Sequence, residues 1–168
     1  MDYKIEKMPS FKIIGFQKEF DNDNSYQEIP LFWQETFKRH FSNLMNGNGP
    51  SSEIEKAIVK YRIGEYGVCV DELPNGKFKY LIAGEYDGGE VPDGLSVYEF
   101  PETLWAIFEC FGPIPNALQT LNTQIFEEWL SNNKEYELSM GASVEWYGEG
   151  ETDSPSYHSQ IWLPIKKK

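Results

Sequence analysis

A repeated order of periodicities constrains this fold more than any single motif. Two stretches of the chain each read strand, helix, strand, strand. In the first, "FKIIGFQKEF" (11–20) reads as a strand after Pro9. "EIPLFWQETFKRHFSNLM" (28–45) then sets Trp33, Phe37, Phe41 and Leu44 at spacings of four, four and three, which is one stripe of a helix. Pro30 fits its first turn, and "NGNGPSS" (46–52) ends it. "EIEKAIVKY" (53–61) reads either as a helical turn or as a lead-in to the next strand. "YRIGEYGVCVD" (61–71) and "KFKYLIAGEY" (77–86) are strands joined by a hairpin turn at Asn75-Gly76.

The second stretch repeats the order. "LSVYEFPETLWAIFECFG" (95–112) is a strand interrupted by Pro101. A helix over 114–133 carries Leu118, Leu121, Ile125 and Trp129 on one face. Strands over 136–148 and 157–165 follow, joined by the acidic loop "EGETDSPS". "MPSFKIIGF" (8–16) aligns with "FPETLWAIF" (100–108), so Pro9 lies over Pro101, Ile13 over Trp105 and Phe16 over Phe108. "IGEYG" (63–67) resembles "VEWYG" (144–148), which sets Glu65 opposite Glu145. The expectation is one α+β domain over 1–168, with pseudo-repeats of about 1–90 and 95–168 linked by "DGGEVPDG". Its antiparallel sheet would carry two helices on one face, with a ligand groove between the halves.

Charge removes several function classes. The net charge of −12, with no basic stripe, argues against direct nucleic-acid binding and against anionic membranes. It suits a cationic or neutral ligand. No segment has the apolar length of a signal core or a membrane span, and Cys69 and Cys110 read as unclustered reduced thiols, so a cytoplasmic protein is expected. His40 and His158 lack metal-ligand spacing, and no glycine loop suits a phosphate. No metal or cofactor is expected.

Strand alternation selects the candidate site. In "TLWAIFECF", Leu104, Ala106, Phe108 and Cys110 share the face suited to a helix, leaving Trp105 and Glu109 for the groove. In "ASVEWYG", Glu145 and Tyr147 share a face with Ser143, away from Val144 and Trp146. Trp105, Glu145 and Tyr147 are therefore expected together, with Tyr66 or Glu65 joining them according to register. Tyr86 and Glu109 complete the candidate set. An ionised carboxylate taken from water needs a partner or a raised pKa, and aromatic faces attract cations. The plainer alternative is a solvated Glu paired with a nearby Lys or Arg.

The order Trp105-Ala106-Ile107-Phe108, Gly112-Pro113, Trp129-Leu130, Glu145 and Pro164-Ile165 resembles the GyrI-like small-molecule-binding domain. This is also the effector-binding domain of AraC-type and MerR-type multidrug regulators. "YLIAGEY" (80–86) resembles its first-half strand. The resemblance implies the duplicated α+β fold in a stand-alone form, without the regulators' DNA-binding domain. It implies that Glu145 matches the pocket acid that meets hydrophobic, aromatic, cationic drugs, and that Trp105 matches the pocket aromatic, usually Tyr. Sensing or sequestering a drug or toxin is the default, non-catalytic reading. Some stand-alone members are hydrolases that open cyclopropanoid DNA-alkylating natural products; Glu145 and Trp105 would then be catalytic. The family name, from a gyrase inhibitor, also brings a protein partner into view.

Overall fold

All 168 residues are described by a computed structural model. Along the chain run β1 (Tyr3–Met8), β2 (Phe11–Asp21), α1 (Ser25–Thr36), a π-helical turn (Phe37–Phe41), α2 (Ser42–Met45) and α3 (Glu53–Tyr61). Next come β3 (Tyr66–Val70), β4 (Lys77–Glu85), β5 (Ser96–Phe100) and β6 (Thr103–Phe111). α4 (Asn116–Gln124) continues into a second π-helical turn (Ile125–Leu130), followed by β7 (Tyr136–Leu138), β8 (Ser143–Tyr147) and β9 (His158–Lys167). The class is α+β, and the strand pairs are antiparallel. No helix is long and apolar enough to cross a membrane.

The chain separates into two units, Phe11–Phe100 and Met1–Ser10 with Pro101–Lys168. The dividing points differ from the expected linker. "DGGEVPDG" lies inside the Phe11–Phe100 unit, and the breaks fall just after Ser10 and just before Pro101. Pro101 cannot donate a ladder hydrogen bond, so the strand expected across 95–112 splits into β5 and β6. β5 pairs with β2, whereas β6 pairs with β1 and β9.

In the Phe11–Phe100 unit the strand order is β3-β4-β2-β5. The β3–β4 turn uses Gly76 at φ 80°, and the Asn75 side chain accepts from the Lys77 amide at 3.2 Å. Ile14, Phe16, Phe20, Phe78, Tyr80 and Ile82 form one apolar face and pack against Ala57, Ile58 and Tyr61 of α3 and Phe41 of the π turn. Each such side chain contributes ~1.5–3 kcal/mol on full burial. "EIEKAIVKY" is a full helix because Ser52 caps it, its hydroxyl accepting from the Glu55 amide at 3.1 Å. Arg62, in the left-handed region at φ 53°, ends it.

In the other unit the order is β1-β6-β9-β8, with β7 also on β9. Ala106, Phe108, Cys110, Ile161, Leu163 and Ile165 form the face that packs under Leu118, Leu121 and Ile125. Strand β1 has no counterpart among the expected elements. It is largely exposed and pairs along β6 with Tyr3 opposite Phe108, while the Tyr3 ring meets Phe108 and Trp129, each at 5.3 Å, and Ile5 packs on the same apolar cluster.

The two units resemble each other in their ring packing. In one unit His40, from the π turn, stacks on Phe16 at 4.6 Å; in the other Trp129, from the second π turn, meets Phe108 edge-on at 5.0 Å. Register then corrects one expected equivalence. Phe16 stands opposite Ile82, which stands opposite Gly67. Phe108 stands opposite Ile161, which stands opposite Glu145. With Phe16 and Phe108 as counterparts, Glu145 corresponds to Gly67 rather than to Glu65. The carboxylate belongs to one half of the repeat.

Candidate functional site

Cross-strand rows build the site from β6, β9 and β8. One row is Phe108, Ile161 and Glu145; the next is Cys110, Ser159 and Tyr147. Directly opposed residues point to the same side of a sheet. Glu145 therefore lies on the helix-covered side, next to Ile161 and on the same face as Phe108 one strand further on. It is half-buried, so solvent still reaches it.

The electrostatics around Glu145 are simple. Tyr147 Oη donates to Glu145 Oε1 at 3.4 Å, and this is the one polar contact Glu145 makes. No Lys, Arg or His pairs with it. Burial pushes its pKa from 4.5 up to about 7, against a smaller downward pull from the Tyr147 hydroxyl. The Cys110 thiol is pushed up by burial; Ser159 acts downward on it and the Glu145 charge acts upward. Near neutral pH the carboxyl can hold a proton, donate it in a hydrogen bond, or face a cation as carboxylate.

The opposite side of the same strands carries a second polar row. Trp146 stands opposite Gln160, which stands opposite Glu109. His158 Nε2 donates to Glu109 Oε2, Gln160 Nε2 donates to Glu109 Oε1 at 2.6 Å, and Trp162 Nε1 donates to Gln160 Oε1 at 2.8 Å. Phe111 stacks on His158 at 4.8 Å, and Trp146 meets it edge-on at 5.2 Å. Trp105 is on this side, fully buried, 6.4 Å from Trp162.

The alternation expected within each strand is present, but the assignment of faces is not. Glu145 and Tyr147 are together; Trp105 and Glu109 are on the reverse side of the sheet. The reason is register: Trp105 opposes Pro164 and Glu109 opposes Gln160, whereas Glu145 opposes Ile161. A catalytic pair of Glu145 and Trp105 is therefore not assembled. Glu109 has both oxygens engaged by His158 and Gln160.

The remaining candidates belong to the Phe11–Phe100 unit. Tyr66 opposes Ala83, and burial pushes its hydroxyl up to about 12, with smaller contributions from Glu65 and Glu85. Tyr86 packs on Tyr61 at 5.4 Å and donates its hydroxyl to the Gly89 carbonyl. Two residues near Glu145 escaped the sequence reading, Cys110 and Ser159. Cys110 carried a signal, since alternation put it on the helix side; Ser159 needed the β6–β9 register. No group of side chains has the makings of a metal site.

Comparison with known proteins decides the family. The family model of Cass2, the integron-associated effector-binding protein, matches residues 4–165. The chain belongs to this family. Three solved structures share its fold. SAV2435 bound to tetraphenylphosphonium is 22% identical with a TM-score of 0.79, over 99% of this chain and 94% of that one. A putative transcription regulation protein of Staphylococcus aureus MU50 is 21% identical with a TM-score of 0.72, over 99% of each chain. The integron cassette protein VCH_CASS2 of Vibrio cholerae is 12% identical with a TM-score of 0.69, over 98% and 95%. At these identities the likeness is one of fold. The C-terminal domain of EcmrR, at 16% identity and a TM-score of 0.54 over 99% of this chain and 98% of that one, shares the fold as well. No curated protein matches the sequence.

Proposed function

We propose that this effector-binding protein captures hydrophobic, aromatic organic cations at Glu145, to sense or sequester a drug or toxin. The observation that carries the reading is a half-buried carboxylate with no cationic partner of its own, flanked by Ile161 and Tyr147. A desolvated carboxylate gains most from a cation that brings little hydration with it. Aromatic side chains add ~0.5–2 kcal/mol for each ring face a cation meets. The excess of 27 acidic over 15 basic residues favours the approach of a positive ligand. The tetraphenylphosphonium complex of SAV2435 supports the same ligand class. The reading is of binding without turnover.

The test is a titration with tetraphenylphosphonium at pH 8, followed by tryptophan fluorescence and calorimetry. Saturable one-to-one binding, weakened at least tenfold in Glu145→Gln, is expected. Absence of saturable binding, or equal affinity in the variant, would remove the reading.

A further inference from the structure

We infer that the Glu145 site takes a second ligand class, neutral aromatic hydrogen-bond acceptors, with Glu145 donating as the carboxylic acid in place of the cation-facing carboxylate. This rests on the proposed cation-binding reading of the same site and extends it to uncharged ligands.

The geometry supplies the argument. Tyr147 Oη reaches Oε1 at 3.4 Å, and nothing bonds to Oε2. When the carboxyl is protonated on Oε2, Tyr147 still has its acceptor and the acid hydrogen is left without one. A half-buried donor with no protein acceptor gains from a ligand carbonyl or oxide oxygen placed against it. When the carboxyl is ionised, the same oxygen carries charge and a cation is the better partner. One atom thus serves two ligand chemistries, and the proton decides between them.

Few other groups intervene. The titratable side chains that act on this carboxyl or respond to it are Tyr147 on β8 and Cys110 on β6. From β9 the facing residues are Ser159 and Ile161, both uncharged. α4 has no charged residue, and Glu127 and Glu128 of the π turn are exposed. His158 and Glu109 are on the reverse side of the strands, bonded to each other. The carboxyl also titrates in the useful range, with burial holding its pKa at about 7.

A matched pair of probes separates the two forms. Tetraphenylphosphonium is a permanent cation; triphenylphosphine oxide is neutral, similar in bulk and a strong acceptor. Neither titrates between pH 5.5 and 8.5. Cation affinity is expected to fall about tenfold per pH unit below about 7 and to level off above it. Phosphine oxide affinity is expected to do the reverse, levelling off below about 7. Calorimetry at pH 7 in two buffers of different ionisation enthalpy should show proton release to buffer with the cation and uptake with the oxide. Glu145→Gln, whose amide donates but cannot ionise, should bind the oxide with a flat pH profile and the cation weakly at every pH. The wild-type profiles decide the matter even if the variant fails to fold. Phosphine oxide that fails to bind at pH 5.5, or profiles of the same sign for both probes, would overturn this inference and leave cation capture standing. Failure of the cation to bind at pH 8 would remove both readings.

Discussion

Tyr147 Oη donates to Glu145 Oε1 from two residues along the same strand, at the long distance of 3.4 Å. The bond opposes burial by favouring the charged carboxyl. Tyr147→Phe removes that support and moves the Glu145 titration to higher pH. Cation affinity at pH 7 should therefore weaken about two- to fivefold, in line with a net hydrogen-bond contribution of about 0.5–1 kcal/mol. At pH 8.5 the loss should be smaller. Tetraphenylphosphonium titrations at the two pH values measure it; an equal loss at both would assign Tyr147 to direct ligand contact instead.

Glu145 also couples stability to pH. Its folded pKa of about 7 lies above the ordinary 4.5, so the folded state holds this proton more tightly than the unfolded chain. The contribution is fully present below pH 4.5, is lost as pH rises towards 7, and stays lost above. Keeping the ionised carboxylate costs roughly 3–4 kcal/mol at pH 8, from the rise from 4.5 to about 7 at 1.36 kcal/mol per pKa unit. Glu145→Gln should accordingly gain about that much over the wild type at pH 8 and much less at pH 5. Urea denaturation at the two pH values reads the difference; a variant less stable than the parent at pH 8 would contradict it.

Period-two alternation in β6 and β8 and the helical stripes of α1 and α4 gave the fold class, because each element has one apolar side. The Asn75-Gly76 turn and the Pro101 interruption were local chemistry, equally readable. β1 was not, since a six-residue, largely exposed strand offers only Tyr3 and Ile5 on its packed side, too short an alternation to read. The site was half legible. Glu145 and Tyr147 follow from alternation alone, but which face of β8 matches which face of β6 depends on two registers through β9. A slip of one residue exchanges the faces, and no residue type in the three strands fixes that choice. The equivalence of Glu145 with Gly67 needed the same registers.

Gly84 of β4 marks the closest approach of sheet to helix in the Phe11–Phe100 unit. A Cβ there would stand 1.9 Å from the Tyr61 carbonyl oxygen and 2.7 Å from the Arg62 carbonyl carbon. Both are backbone atoms at the end of α3, so neither can rotate away. Gly84→Ala should cost about 3 kcal/mol or more and lower Tm by about 6 °C or more. Thermal unfolding followed by circular dichroism checks this; an unchanged Tm would mean that α3 yields freely.

The two faces of the β6–β9–β8 sheet should separate in function. Glu109→Gln weakens a charge-assisted hydrogen bond to His158, and Trp105→Phe leaves a void where a fully buried indole stood. Both should destabilise, by about 1–3 kcal/mol each. Neither substituted side chain shares a face with Glu145, so tetraphenylphosphonium affinity and its pH profile should stay within about twofold of the parent, well under the 1.4 kcal/mol of a tenfold change. Glu145→Gln, by contrast, should lose both affinity and pH dependence while gaining stability at pH 8. Parallel titration and denaturation of the three variants tests the division. A tenfold loss of cation binding in Trp105→Phe would return the binding role to the face where alternation first placed it.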